Sequence, residues 1–490
     1  MACITHTLPR TKDFLPYYEH KVNMANSDPG EDQLTTLQSL LHSDEIITPD
    51  SPDYPPLVQT WASQKQMNPR LLIRPNSIES LSKAIAYLYS SSLDFAIYGH
   101  GFMSASAKDV LVNTSSFDGF HLDKHSDLVT IGAGQTWAEV YRKLQEAAPD
   151  YGIVGARTPC VGVAGTIISG GFSWLSSEYG CISDPANMLD VKVVKYDGSV
   201  VWASREPELL WALRGGGGGF GVVVKVVLRV VPYPQNIWAG PILIPREQLQ
   251  QVAEGIARFV SEPVDPKITM FLYVVKGRLL ESIGTDSDML VIHAFDAHGE
   301  NHGRASFQWA LDIAGAVDQT RVTTLAGVAD LQNKAHIVKG SMKQFWAPLL
   351  LREISKETII KAIQWSEDIQ HLDKSLGDCT YLIFELLSSR DPAGPMSSCA
   401  WPRPLGGKHI LLLGTGCPSG DGPDKEKLAR DLAIEAASKV LGADAEVNYL
   451  PNGFEDFHDP KKIWGPHFEQ LRALRRRYDP HGRFKAAVDV

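Results

Sequence analysis

The chain has little of what several large functional classes require. Its six cysteines, Cys3, Cys160, Cys181, Cys379, Cys399 and Cys417, are scattered. No two stand in Cys-x-x-Cys spacing, which leaves zinc sites and thioredoxin-type redox pairs unsupported, and no metal site is expected. No run of about 18 apolar residues occurs, which excludes a helical membrane span. Met1 to Lys21 has no compact apolar core and does not form a recognisable signal peptide, so an intracellular, cytoplasmic location is expected. Basic blocks are missing apart from Arg475-Arg476-Arg477. Acidic residues outnumber basic ones by 57 to 47, a net charge of −10 that argues against nucleic acid as a partner. A P-loop, an HExxH helix and a GxSxG elbow in usable context are also missing, so ATP hydrolysis, zincin chemistry and α/β-hydrolase chemistry drop out.

What is present is an ordinary globular mix over 490 residues, 44% of them hydrophobic, enough for two or more domains. Up to residue 45 the chain is polar and weakly patterned. Arg70–Pro75, Phe95–Tyr98, Asp109–Asn113 and Leu128–Ile131 have strand character. Ser77–Tyr89 and Thr136–Ala147 have helix character, the first with Ser77 as its N-cap. Met188–Tyr196 and Val200–Ala203 flank the hairpin turn Asp197-Gly198. A short helix at Glu206–Leu213 leads through glycines to a β-rich run, Val222–Leu228. The composition changes after Pro234. Helices are expected at Arg246–Val260, Gly303–Ala314, Lys356–Ile369 and Lys425–Val440. Strands are expected at Thr269–Lys276, Met289–Phe295, Thr380–Leu387 and His409–Gly414. Together these suggest an α+β protein with a sheet backed by helices. A last helix, Pro466–Arg477, ends in the turn Asp479-Pro480-His481-Gly482.

The glycines carry most of the functional signal. Gly216–Gly221 satisfies GxGxxG, but a helix precedes it and a strand follows. A Rossmann phosphate site needs the reverse order, so a nicotinamide domain is rejected. Three glycine-rich segments follow one another: Gly99-His100-Gly101, Gly162–Gly165 with Ser169-Gly170-Gly171, and Gly215–Gly221. Amides in successive glycine turns make concave anion sites without a helix dipole. Converging turns of this kind suit a dinucleotide diphosphate and a flat ring system.

The words around those turns are similar to motifs of one family. Ile131-Gly132-Ala133-Gly134-Gln135-Thr136-Trp137-Ala138-Glu139-Val140-Tyr141 resembles an element of FAD-linked oxidoreductases of the berberine bridge enzyme type, within the vanillyl-alcohol-oxidase superfamily. Gly155–Gly165, Ser169–Ser176 with Tyr179-Gly180, and Leu209–Gly217 with Phe220-Gly221 resemble three further elements. Tyr478-Asp479-Pro480 with Phe484 resembles the C-terminal one. The likeness spans about 70–235 and 445–490 and is nearest to fungal secondary-metabolite members.

The resemblance implies a two-part FAD-binding domain with a PCMH-type core, and a substrate domain whose antiparallel sheet is backed by helices. The expected division is an N-terminal extension over 1–44, an FAD-binding domain over 45–235, a substrate domain over 236–443, and a segment over 444–490 that returns to the FAD domain. It also implies a flavoprotein oxidoreductase acting on a small secondary-metabolite intermediate, with hydride passing to flavin N5. Cofactor contacts are then expected from Tyr98, Gly99, His100, Gly101, Phe102, Met103 and Ser104. A second set is Thr158, Val161, Gly162, Gly165, Gly170, Gly171, Ser173, Trp174, Tyr179 and Gly180. A third is Gly221, Val222, Asn448 and Tyr449. Val161 falls where valine goes with oxidase behaviour, which points to oxygen as electron acceptor. Redox-neutral cyclisation on the same fold, or flavin binding without catalysis, remains as an alternative. A monomer or weak dimer is expected.

The chain departs from the family at the flavin tether. Phe102 falls where many members carry a tethering histidine, and Thr158 where some carry a tethering cysteine. Non-covalent FAD is expected, with His100 and Cys160 as the residues able to replace the tether. A proton acceptor is needed as hydride leaves. Tyr381 and Glu385 share one face of their strand by period two, and an inward carboxylate there would be desolvated and its pKa raised. On an edge strand Glu385 would instead lie in water. Tyr449 is a third candidate. His293 has no assigned side of its strand.

Overall fold

In the computed structural model, residues 29–103, 105–261, 265–277, 287–332, 338–387, 398–403 and 409–488 are described. Ser104, Cys3 and the first 28 residues of the expected N-terminal extension lie outside them.

Three sheets organise the described residues. The first runs Ile46–Ile47, Leu71–Ile73, Val110–Asn113, Phe95–Tyr98, with its last three strands parallel. The Ile78–Ser90 helix packs on it, started by Ser77, whose hydroxyl accepts from Ser80 N at 3.1 Å. The second sheet runs Phe120–Asp123, Leu128–Gly132, Val222–Pro232, Met188–Val194, Val200–Trp202, and Tyr151–Ile153 also pairs with Val222–Pro232. The Trp137–Ala147 helix beside it opens on a reciprocal cap. Glu139 N donates to Thr136 Oγ1 at 3.3 Å and Thr136 N to Glu139 Oε2 at 2.7 Å.

The third sheet has eight strands, all antiparallel. Its main path is Val317–Asp318, Ile237–Pro245, Met289–Asp296, Ile268–Val275, Tyr381–Leu386, His409–Pro418, Met342–Leu351. Period-two alternation splits its side chains cleanly. Met270, Leu272, Ile292, Leu382, Phe384 and Leu411 pack under the helices Leu249–Ser261, Lys356–Leu372 and Pro423–Leu441. Phe271, Phe295 and Ile410 face the other way and join Phe172 and Trp174 of the glycine-bearing half in one core. The fold is therefore α+β, with an antiparallel sheet backed by helices, as expected.

The strands Ile237–Pro245 and Met342–Leu351 were not legible in the sequence because Pro241 and Pro348 interrupt them. The second is the edge of its sheet, and the first is flanked on one side only by short strands, which is where proline is tolerated. The single helix expected over Gly303–Ala314 is two short ones, Glu300–Ser306 and Gln308–Leu311, broken at the fully buried Phe307. The polar N-terminal stretch contains a helix, Pro29–Ser39, that buries Leu34 and Leu37. No helix among the described residues is long and apolar enough to cross a membrane.

The Phe468–Tyr478 helix and the turn after it pack against the Ile78–Ser90 helix of the first sheet. Arg475 and Asp479 are buried and ion-paired at 2.8 Å. Asp479 also accepts from Tyr89 Oη at 2.8 Å, Arg483 N at 2.8 Å and Phe484 N at 3.0 Å. Arg475 donates to the carbonyls of Gly219 and Val488. Asp479→Asn leaves this guanidinium buried without a counter-charge. It should cost about 3 kcal/mol, read as a lowered urea midpoint at unchanged m-value.

Candidate functional site

The Phe95–Tyr98 strand delivers the chain into a turn at Gly99–Phe102. Gly101 takes φ +69°, and a Cβ there would lie 2.6 Å from Tyr98 Oη and 2.7 Å from Gln59 O. Only glycine fits that approach. Trp61 N donates to Gly101 O at 2.8 Å, and Phe102 stacks on Trp61 with centroids 4.4 Å apart. The amides of Gly99, His100, Gly101 and Phe102 donate to no other described residue. A Cβ on Gly99 would meet nothing within 4 Å, and the same holds for Gly165 on the second glycine segment. Unpaired amides beside open space are what a diphosphate needs. Met103 is exposed.

His100 does not project freely. Its Nε2 lies 2.8 Å from Gly134 O, and its ring sits 2.8 Å from where a Gly162 Cβ would be. Burial lowers its pKa, so the ring is neutral at pH 7. Tyr98 Oη donates to Gln59 O at 2.7 Å and accepts from Lys339 Nζ at 3.1 Å. Cys160 is partly buried, and burial pushes its thiol pKa up.

Thr158 through Gly165 run beside this turn, with Gly162 as the N-cap of Val163–Ile168. Trp137 N donates to Val161 O at 3.0 Å, and Thr158 O accepts from Val161 N at 3.3 Å. Gly170 has φ +90°, and a Cβ there would strike the Trp401 ring at 2.7 Å. Gly171 has φ +72° and crowds Ile182, while Tyr179-Gly180 closes the next turn. Ser173 is buried, its hydroxyl accepting from Leu175 N at 3.2 Å. Gly221 approaches Val193, and Val222 begins the strand that follows.

Trp174 is placed differently from a simple cofactor contact. It stacks on Phe271 at 4.1 Å and on Phe295 at 5.5 Å, and lies 5.1 Å from the His293 ring. It therefore joins the glycine-bearing half to the large sheet. His293 faces this seam, is 1% exposed, and neither ring nitrogen has a hydrogen-bond partner.

Glu385 also faces the seam. Its strand is interior, between Ile268–Val275 and His409–Pro418, so the edge-strand alternative is overturned. Nor is it an isolated desolvated acid. Arg157 Nη1 donates to Glu385 Oε2, with both side chains nearly buried. Burial pulls the Arg157 guanidinium below its ordinary pKa, and it lies 5.4 Å from the Phe271 ring centroid. Arg157 belongs to a segment whose glycines were legible, but nothing in the sequence paired it with Glu385, 228 positions away. Tyr381 shares this face and stacks on Trp346 at 6.1 Å, with its hydroxyl 3.3 Å from Met342 Sδ.

Asn448 and Tyr449 lie along the Met342–Leu351 edge. Leu350 N donates to Asn448 O at 2.8 Å, and the Tyr449 ring stacks on His458 at 4.2 Å. Burial raises the Tyr449 hydroxyl pKa. The structure thus brings Tyr381, Glu385 and Arg157 onto the seam, and places Tyr449 at the edge of the same sheet. Among the described residues, no group of three or more His, Cys, Asp or Glu is placed to hold a metal ion.

Comparison with known proteins agrees with this geometry. The FAD binding domain family matches residues 69–204. An FAD-dependent monooxygenase, tpcD, of Cochliobolus heterostrophus is 26% identical over 472 residues, covering 87% of this chain and 85% of that protein. The (R)-6-hydroxynicotine oxidase of Paenarthrobacter nicotinovorans is 28% identical over 204 residues, covering 40% of this chain and 43% of that one. Among solved structures, a berberine bridge enzyme G164A variant, a reticuline dehydrogenase, superposes with TM-score 0.75 at 16% identity, covering 93% of this chain and 98% of that one.

His293 on the seam and His458 beside Tyr449 at the sheet edge give the protein a pH dependence. Burial pushes both down to about 4, below the unfolded value of about 6.5. The unfolded chain therefore binds more protons in that window, and stability is full above about pH 6.5 and falls toward pH 4. His293→Leu should remove up to about 3 kcal/mol of this acid loss, seen as a flatter plot of urea midpoint against pH.

Proposed function

We propose that this chain, an FAD-linked oxidoreductase of the berberine bridge enzyme type, binds FAD non-covalently. We further propose that it oxidises a small secondary-metabolite intermediate, with oxygen as electron acceptor. In this proposal residues 45–235 and 444–490 hold the cofactor and 236–443 shape the substrate site. The glycine turn at Gly99–Phe102 and the segments through Gly165, Gly170 and Gly221 would cradle FAD, with Asn448 and Tyr449 at its far side. The cofactor supplies the hydride acceptor.

The observation that carries the proposal is the Arg157–Glu385 pair. It pins a carboxylate of the large sheet to the segment that bears Thr158, Val161 and Gly162. In this proposal Glu385 accepts a proton from a substrate O–H or N–H as hydride leaves. Arg157 fixes that carboxylate in place. Tyr381 and Trp346 present an aromatic wall on the same face. The Phe271 and Trp174 rings exclude water behind the pair. Non-covalent attachment is supported by the position of the two residues able to form a tether. His100 is committed to Gly134, and burial disfavours the Cys160 thiolate.

The purified protein should be yellow, and acid precipitation should release its flavin to the supernatant. Its visible absorbance should bleach with substrate under argon and recover in air. Flavin retained on the pellet would refute non-covalent binding. A product of unchanged mass from an unbleached flavin would refute net oxidation.

A further inference from the structure

We propose that Lys339, carried by the loop before the Met342–Leu351 strand, supplies the positive charge that neutralises the diphosphate of FAD at the Gly99–Phe102 turn. The proposal rests on the assignment of that turn to FAD made above.

The ammonium of Lys339 is partly buried and has a neutral partner. It donates to Tyr98 Oη at 3.1 Å and stands 5.7 Å from the Tyr98 ring centroid. Other partly buried lysines of this chain have carboxylates: Lys65 has Glu455 at 2.6 Å, Lys195 has Glu206 at 3.0 Å, and Lys343 has Glu426 at 2.8 Å. Among the described residues no acid faces Lys339. The titratable groups near it are Cys160 and His100, and burial lowers its pKa. Burying a cation without a counter-ion is costly, so the arrangement calls for an anion.

The surroundings are built to receive one. Tyr98 Oη donates its hydrogen to Gln59 O and accepts one from Lys339, whose other two meet no acceptor among the described residues. The amides of the glycine turn, which donate to no other described residue, begin at the next residue. The position of Lys339 is fixed by its backbone. Gln59 Nε2 donates to Lys339 O at 3.0 Å, and Gly340 N donates to Trp61 O at 3.0 Å. Gly340 needs φ +74° to make that turn. FAD carries its formal negative charge on the diphosphate, so that is the part of the cofactor a lysine and a row of amides would select. Lys339 lies more than a hundred residues beyond the glycine segments, and cofactor charge would thereby be shared across the seam.

The test titrates the full-length chain, stripped of flavin, with FAD and with riboflavin, following flavin fluorescence, and adds ADP as a competitor. Lys339→Met should weaken FAD and ADP binding about 10- to 100-fold and leave riboflavin within about 2-fold. Lys339→Arg should restore FAD binding to within about 5-fold. FAD affinity of the unaltered protein should fall with added salt, and riboflavin affinity should not. Equal losses for FAD and riboflavin in Lys339→Met, or no loss, would overturn the proposal. Gly101→Val separates the two levels. If it spares FAD binding, the turn assignment fails. If it abolishes FAD binding while Lys339→Met does not, only the role of Lys339 fails.

Discussion

A guanidinium and a carboxylate, brought together from 228 positions apart, sit at the centre of the seam between the glycine-bearing half and the large sheet. Such a pair adds little net stability, because desolvation offsets most of the attraction. What it adds is register. A charge buried without its partner is so unfavourable that the seam closes in one way. Every residue placed on it, Tyr381, His293 and Trp174 among them, inherits its position from that closure. The aromatic stack of Trp174, Phe271 and Phe295 then fills the remaining volume with apolar rings.

The glycine turn and the seam are linked through short contacts to chain segments far away in sequence. Gln59, Trp61 and Lys339 surround the turn from outside, while His100 fills the gap toward Gly162. A histidine in a glycine turn looks like a ligand when only the strand before it is known. In three dimensions it is a packed, neutral ring that fixes the spacing of two glycine segments.

Local order was largely legible in the sequence. Ser77 caps its helix, and the apolar runs Phe95–Tyr98 and Val222–Leu228 form strands, because these choices are made within a few residues. Period two put Tyr381 and Glu385 on one face of their strand, and only the sheet order shows that this face points inward. The partner of Glu385 was not legible, because no periodicity relates Arg157 to a strand in the other half of the chain. Lys339 had no signal of any kind, being a single lysine in a loop. The proline-bearing strands were hidden for a different reason: proline forbids a ladder bond in an interior strand, and only the sheet order shows that these strands lie where the bond is dispensable.

The closing residues of the chain have a bearing on how it is made. Arg483 donates to the carbonyls of Leu88, Ser91 and Leu93, and Phe484 enters the same core as Phe95 and Leu81. During synthesis the first sheet therefore emerges hundreds of residues before the groups that complete its core. The nascent chain must carry an unfinished apolar surface until residues 475–484 have emerged. The Phe468–Tyr478 helix and the turn after it therefore complete that core late, and a product that stops short of them leaves it open.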